Sequence, residues 1–305
     1  MMRLAKSIVR GTVQTALAPL EAALTARHPA PRWPVVFIVG PPRSGTSLFY
    51  ELLVTRYRFA FFTNLSHRFY RTPAAASLLG ARLIRDRRPR FESDYGHIAG
   101  WSAPNEGGWI WRRWLADGDW TDERAAAGLD LAAMRATVGA VEAALGAPFV
   151  NKNVMHANRM RLLDRIYPGC LFIEVCRDPA ETARSIVRAE RKEKGPARHP
   201  DDWWSVRPSS VAPGSDLERA ANQVTGVMAD IDRDARHLGR DCLLRVDYAR
   251  LCAATEPVLT EVAAFLRLNG VPVEDRAAVP TGFPSQHPQA LADDEERRLR
   301  ALIHG

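Results

Sequence analysis

No apolar run in this chain approaches the roughly 20 residues that a membrane-spanning helix needs, so the sequence predicts no transmembrane helix. The N-terminal region also lacks a secretory apolar core, which leads to the expectation of a cytoplasmic protein. Only four cysteines occur, Cys170, Cys176, Cys242 and Cys252, with no Cys-x-x-Cys pair. Three of them fall in or beside apolar, strand-like runs. Buried free thiols in a reducing compartment are therefore expected, rather than a disulfide framework. No His/Cys/carboxylate cluster has metal-ligand spacing, so no metal is expected. There is no internal repeat and no linker long enough to divide the chain.

What is present is a globular composition with a basic excess. Apolar residues make up 46% of the 305, enough for a real core in one large α/β domain or two small ones. A formal net charge of +7 suits a polyanionic ligand, nucleic acid or an acidic membrane surface, and by itself does not choose among them. Residues 1–34 read as an N-terminal helix followed by the Pro-rich lead-in His28–Pro34. Arg3, Lys6 and Arg10 lie among apolar residues there. The helix is expected either to dock on the domain or to rest on a membrane, with peripheral contact through residues 1–26 at the inner face.

The stretch Val35–Leu53 organises the rest. Val35–Val39 is a continuous β-branched and aromatic run, as in a strand buried on both faces. Gly40–Gly45 is a turn rich in Gly and Pro, and Thr46–Leu53 changes to helical spacing. Strand, glycine loop and helix together aim backbone N–H groups at an anion. Gly40, Gly45 and Ser47 have the spacing of a Walker A loop, but Thr46 stands where that motif requires Lys. The cation lies earlier, at Arg43, where it reaches the 5′ side of a nucleotide with no third phosphate.

Further along, strands alternate with helices. Strands are expected at 58–65, 148–152, 171–175 and 243–246, and helices at 73–85, 130–145, 157–167, 179–191, 215–238 and 255–268, with a charged final helix. Residues 85–90 read as a basic surface loop and 192–214 as a long mobile loop. The alternation predicts one α/β domain over 35–305, with a central parallel sheet flanked by helices and ligands at the carboxyl ends of the strands. Lys152 ends its predicted strand, and Arg43, Arg177 and Tyr248 follow theirs.

Pro41-Pro42-Arg43-Ser44-Gly45-Thr46-Ser47 resembles the 5′-phosphosulfate loop of sulfotransferases that use 3′-phosphoadenosine 5′-phosphosulfate (PAPS). The arginine version is similar to the tyrosylprotein, Golgi-type and bacterial branches. Arg177-Asp178-Pro179 with Ser185, eight residues after Arg177, resembles the family's 3′-phosphate site. Arg supplies a planar fork of donors and the Ser hydroxyl one more. Read from the residues alone, Arg177 equally suits a pair with Asp178 or Glu181. Arg245-Val246-Asp247-Tyr248, with Phe265-Leu266 beyond, resembles another family segment, although Ala249 replaces the usual Glu. Tyr248 would pack near the adenine or donate to phosphate, or is simply a half-buried Tyr at a strand end. Lys152, in Asn151-Lys152-Asn153, resembles the family's lysine that stabilises transition-state charge, with Asn153 a departure from the common pattern.

The resemblance implies a P-loop-like sulfotransferase fold spanning roughly Val35–Leu268 and a sulfuryl transfer from PAPS, with adenosine 3′,5′-bisphosphate as product. It implies that Pro42, Arg43, Ser44, Gly45, Thr46, Ser47, Arg177, Ser185 and Tyr248 bind the donor. Arg43 and Lys152 would offset developing charge. For the base, Glu106 in Pro104-Asn105-Glu106-Gly107-Gly108 matches the family's Glu, with His156 and His97 as competitors. Trp101, Trp203 and Trp204, in loops beside the expected site, suit sugar rings. The acceptor is therefore expected to be a saccharide, a lipid-linked saccharide or a small metabolite. Two other readings remain: a P-loop kinase or NTPase, against which Thr46 stands, and a non-catalytic basic anion-binding module. No nucleic-acid partner is expected, because aromatic and basic residues are not interleaved.

Overall fold

The structure is a computed structural model that describes residues 2–92, 97–116, 119–194, 205–210, 214–287 and 289–304. In chain order the elements are α1 (Met2–Arg27), β1 (Val36–Val39), α2 (Thr46–Arg56), α3 (Asn64–Arg68), α4 (Pro73–Arg85), α5 (Gly108–Trp111), α6 (Leu131–Leu145), β2 (Val150–Lys152), α7 (Met160–Ile166), β3 (Leu171–Cys176), α8 (Pro179–Lys194), α9 (Asp216–Leu238), β4 (Leu243–Asp247), α10 (Tyr248–Ala253), α11 (Thr255–Leu268) and α12 (Asp293–His304). The four strands form one parallel sheet in the order β2-β1-β3-β4. Phe37 of β1 lies opposite Asn151 of β2 on one side and Phe172 of β3 on the other. β1 is buried along its whole length, which is why its residues are apolar without alternation.

From β1 the chain runs to β2 on one side and then crosses to β3 on the other. The gap between β1 and β3 is therefore a topological switch point, where the loops after adjacent strands part and leave a crevice at their carboxyl ends. The loop Gly40–Gly45 and the residue Arg177 flank that crevice. α1 packs on α4 and α6. α8, α9 and α12 share a smaller apolar cluster that includes Ile186, Val187, Val224 and Leu299. Among the described residues no helix is long and apolar enough to cross a membrane.

Three local expectations change. Residues 58–65 form no strand of the sheet; they make two isolated bridges, Ala60 to Phe149 and Thr63 to Pro104. Phe59, Phe61 and Phe62 are buried as the segment crosses the core. Thr63 then caps α3 reciprocally with Ser66 and turns the chain away before a ladder can extend. The helix expected at 157–167 is divided into a 3-10 turn (Val154–Asn158) and α7, because the Asn153 side chain caps the Met155 N–H at 2.9 Å. In the basic run 85–90, Arg87 is not a surface charge: its side chain is buried and pairs with Glu51 at 2.9 Å. All four cysteines are free; Cys170, Cys242 and Cys252 are buried.

Candidate active site

The loop after β1 and the start of α2 border a cavity of about 330 Å³, with Pro42, Arg43, Gly45, Thr46 and Ser47 on its wall. No side chain caps α2, so its first N–H groups are left to an outside acceptor. The Ser44 hydroxyl is buried without a hydrogen-bond partner among the described residues, a second donor in the same turn. Gly45 has φ 98°, and a Cβ there would fall 2.2 Å from Cδ2 of Tyr248. Only glycine lets the loop lie this close to the ring. Arg43, with φ 70°, is one of three non-glycine residues with positive φ among those described. That backbone costs about 1–2 kcal/mol and turns the Arg43 side chain toward α8, where its Nε donates to Ser185 Oγ at 3.1 Å.

β2 brings the next cation. Lys152 ends the strand at 3% exposure, with Nζ 3.2 Å from Ser47 Oγ and ion-paired to Glu106. A lysine from β2 thus reaches the helix start that lacks a lysine of its own. Glu106 is held by its neighbours: Asn105 Oδ1 accepts the Gly107 N–H at 2.8 Å, and Asn153 Nδ2 donates to the Glu106 carbonyl at 3.2 Å. Gly107, with φ 69°, packs so closely on Phe62 that a Cβ would lie 2.5 Å from the ring.

On the opposite wall Arg177 lies across the Tyr248 ring, 4.9 Å from its centroid, and donates to the Arg43 carbonyl at 3.3 Å. Its guanidinium also bonds Glu181 at 3.1 and 3.2 Å and the Gln286 carbonyl. Asp178 instead caps α8, accepting from the Glu181 N–H at 2.8 Å. Burial opposes ionisation of Glu181, but hydrogen bonds from His287 and Arg177 hold its carboxyl below the usual range. Burial pushes the Tyr248 phenol up. The cavity can therefore hold a ligand with two separated anionic groups, one at the α2 N-terminus and one near Arg177.

The profile of the sulfotransferase family matches residues 34–275. The chain belongs to the sulfotransferase family. Among solved structures it resembles sulfotransferase STF1 from Mycobacterium tuberculosis H37Rv, at 15% identity and a TM-score of 0.52 over 98% of this chain and 78% of that one. It likewise resembles sulfotransferase STF9 from Mycobacterium avium, at 16% identity and a TM-score of 0.51 over 92% and 69%. At these identities the likeness is one of fold. The comparison with curated proteins gives no match.

Within this sulfotransferase the cavity gathers most of the residues singled out from sequence: Arg43, Glu106, Lys152, Arg177, Tyr248 and the loop around them. Ser185 reaches it through Arg43. His156 is not brought there. Its ring is fully buried between Phe37 and Trp111, at centroid distances of 4.9 and 5.1 Å. It shares the Asn151 Oδ1 acceptor with Trp111 Nε1, each at 2.9 Å. Burial pushes its pKa well down, so the ring is a neutral core group rather than a base. His97 is exposed and outside the cavity lining. Trp101 is 60% exposed and also outside it, while Trp203 and Trp204 lie outside the described residues, as does most of 192–214.

Several lining residues carried no signal in the sequence. Phe283, Pro284 and Gln286 come from the tail before α12, Phe91 packs on Phe283 at 5.4 Å, and Ser205 closes another edge. Nothing local in that tail ties it to the crevice. Among the described residues no group of three His, Cys, Asp or Glu side chains is placed to hold a metal ion.

Proposed function

We propose that this sulfotransferase transfers a sulfuryl group from PAPS to a hydroxyl, or an amine, of a carbohydrate or glycolipid acceptor. The observation that carries the reading is the single cavity bordered by the uncapped α2 N-terminus, Arg43, the Lys152–Glu106 pair and Arg177. These residues fit the donor: the unpartnered Ser44 hydroxyl and the glycine cradle suit its 5′ phosphosulfate, and Arg177 with Ser185 suits its 3′-phosphate. When bound, PAPS supplies a sulfur whose bond to the 5′-phosphate oxygen breaks as the acceptor oxygen bonds to it, leaving adenosine 3′,5′-bisphosphate.

The protein's own groups handle the charges and the proton. Glu106, paired with Lys152, takes the acceptor's proton. Lys152 and Ser47, linked at 3.2 Å, face the region where negative charge grows on the departing oxygen, together with the α2 N–H groups. Tyr248 holds Arg177 flat against the wall. Arg177 exchanges Glu181 for phosphate, and Glu181 keeps His287 at 2.7 Å.

Thermal denaturation with ligand tests this. At 100 times its Kd, adenosine 3′,5′-bisphosphate should add about 2.7 kcal/mol of stability, and ATP–Mg should add little. Arg177→Ala should fold normally and lose most of the bisphosphate shift. Stabilisation by ATP–Mg alone would sink the reading in favour of a nucleoside triphosphate enzyme.

A further inference from the structure

A second cleft, of about 730 Å³, opens between α1 and α5 and is lined by Arg10, Tyr70, Arg71, Trp109, Arg112 and Arg113. Four of its six lining residues are arginines and none is acidic. Several arginines elsewhere in this protein meet carboxylates, Arg87 with Glu51 at 2.9 Å, Arg191 with Asp216 at 2.7 Å and Arg219 with Glu190 at 2.8 Å, and others, such as Arg135 and Arg276, donate to backbone carbonyls. For Arg10, Arg71 and Arg113 of the cleft the contacts are with aromatic rings and a carbonyl. The Arg10 guanidinium lies 5.1 Å from the centroid of Trp109 and 5.8 Å from that of Tyr70. Arg71 lies 5.9 Å from the Tyr70 centroid, and Arg113 lies 4.2 Å from that of Trp114 and donates to the Tyr70 carbonyl at 3.4 Å. Glu21, whose charge acts on Arg113, is engaged by the Ala74 and Ala75 N–H groups at 3.3 and 2.8 Å.

We propose that this cleft binds an anionic group, a phosphate or carboxylate, on the acceptor whose hydroxyl reaches Glu106; the proposal rests on the sulfuryl-transfer reading above. Like charges gathered in one cleft repel, and an anion reverses that sign. The rings do the positioning. Tyr70 and Trp109 meet edge to face at 5.8 Å, His67 stacks on Trp109 at 5.0 Å, and the guanidinium of Arg10 sits against both Tyr70 and Trp109. Arginine forks held in this way match phosphate and carboxylate oxygens in pairs. The reach is also right: Trp109 is three residues after Glu106, at most about 11 Å of backbone. A saccharide bearing an anionic substituent spans that distance.

Isothermal titration with glucose 6-phosphate, glucuronate and neutral glucose as probes tests the cleft. The wild-type protein should bind at least one of the two anions and not glucose. Arg71→Glu, at an exposed side chain away from the donor cavity, should weaken that binding at least tenfold while adenosine 3′,5′-bisphosphate binds as before. Arg10→Ala serves as a second variant should the charge reversal disturb folding. Absence of binding by both anions, equal binding by both variants and wild type, or Arg71-dependent binding only of phosphatidylglycerol vesicles would overturn the proposal. Failure of the bisphosphate to bind wild-type protein would instead strike the donor reading, which this cleft does not touch.

Discussion

Glu106 and Lys152 show how a single pair carries different consequences from its neighbours. Lys152 is almost fully buried, so its charge needs both Glu106 and Ser47. Glu106→Gln keeps an acceptor oxygen for Lys152 and removes the proposed base. Turnover of PAPS at saturating acceptor is expected to fall by about two to four orders of magnitude, while bisphosphate affinity measured by titration stays close to wild type. A fully active variant would remove Glu106 from the chemistry. His156 illustrates the reverse. A histidine after a strand invites a catalytic reading, but whether it faces a cleft or the core depends on which aromatic rings pack around it. Here Phe37 and Trp111, distant in sequence, enclose it.

At the scale of elements, the loop between β1 and α2 is locked by a ring from the far edge of the sheet. Tyr248 begins α10, immediately after β4, and covers Gly45. Gly45→Ala meets two penalties, a left-handed backbone and a Cβ inside the ring's contact distance. The expected loss is about 1–3 kcal/mol in urea denaturation, with a reduced bisphosphate shift. Adding Tyr248→Ala should recover part of the stability, because the clash disappears while the backbone strain stays. If the double variant is no more stable than Gly45→Ala, the ring contact is not what confines this position.

At the scale of the whole molecule, the lead-in to the sheet is tied to α6 by one buried carboxyl. Glu142 accepts the Arg32 N–H, and burial pushes its pKa up to about 7 from an ordinary value of 4.5. Between those two values the folded protein holds a proton that the unfolded chain has released. The contribution is therefore complete below about pH 4.5 and lost as pH rises through about 7. Glu142→Gln keeps an acceptor and cannot ionise. It should be more stable than wild type by about 1–3 kcal/mol at pH 8 and not at pH 5, measured by urea denaturation. An equal effect at both pH values would exclude titration of Glu142 as its cause.

Local information was enough for much of this protein. The apolar run Val36–Val39, the glycine loop with its early arginine, the α8 cap at Asp178 and the cations following β1, β2 and β3 are all short-range patterns, because strand burial, turn chemistry and helix caps are decided within a few residues. They also carried the resemblance that the family match supports. The lateral order β2-β1-β3-β4, the meeting of Lys152 with Glu106, the contact of Arg177 with the Gln286 carbonyl, and the placement of Phe283 and Gln286 on the cavity wall were decided by the tertiary structure alone. So was the outcome at 58–65, which meets the open edge of β2 at Ala60 and pairs with it no further. Each of these outcomes joins groups far apart in the chain, and no local periodicity encodes which distant surface a residue will be buried against.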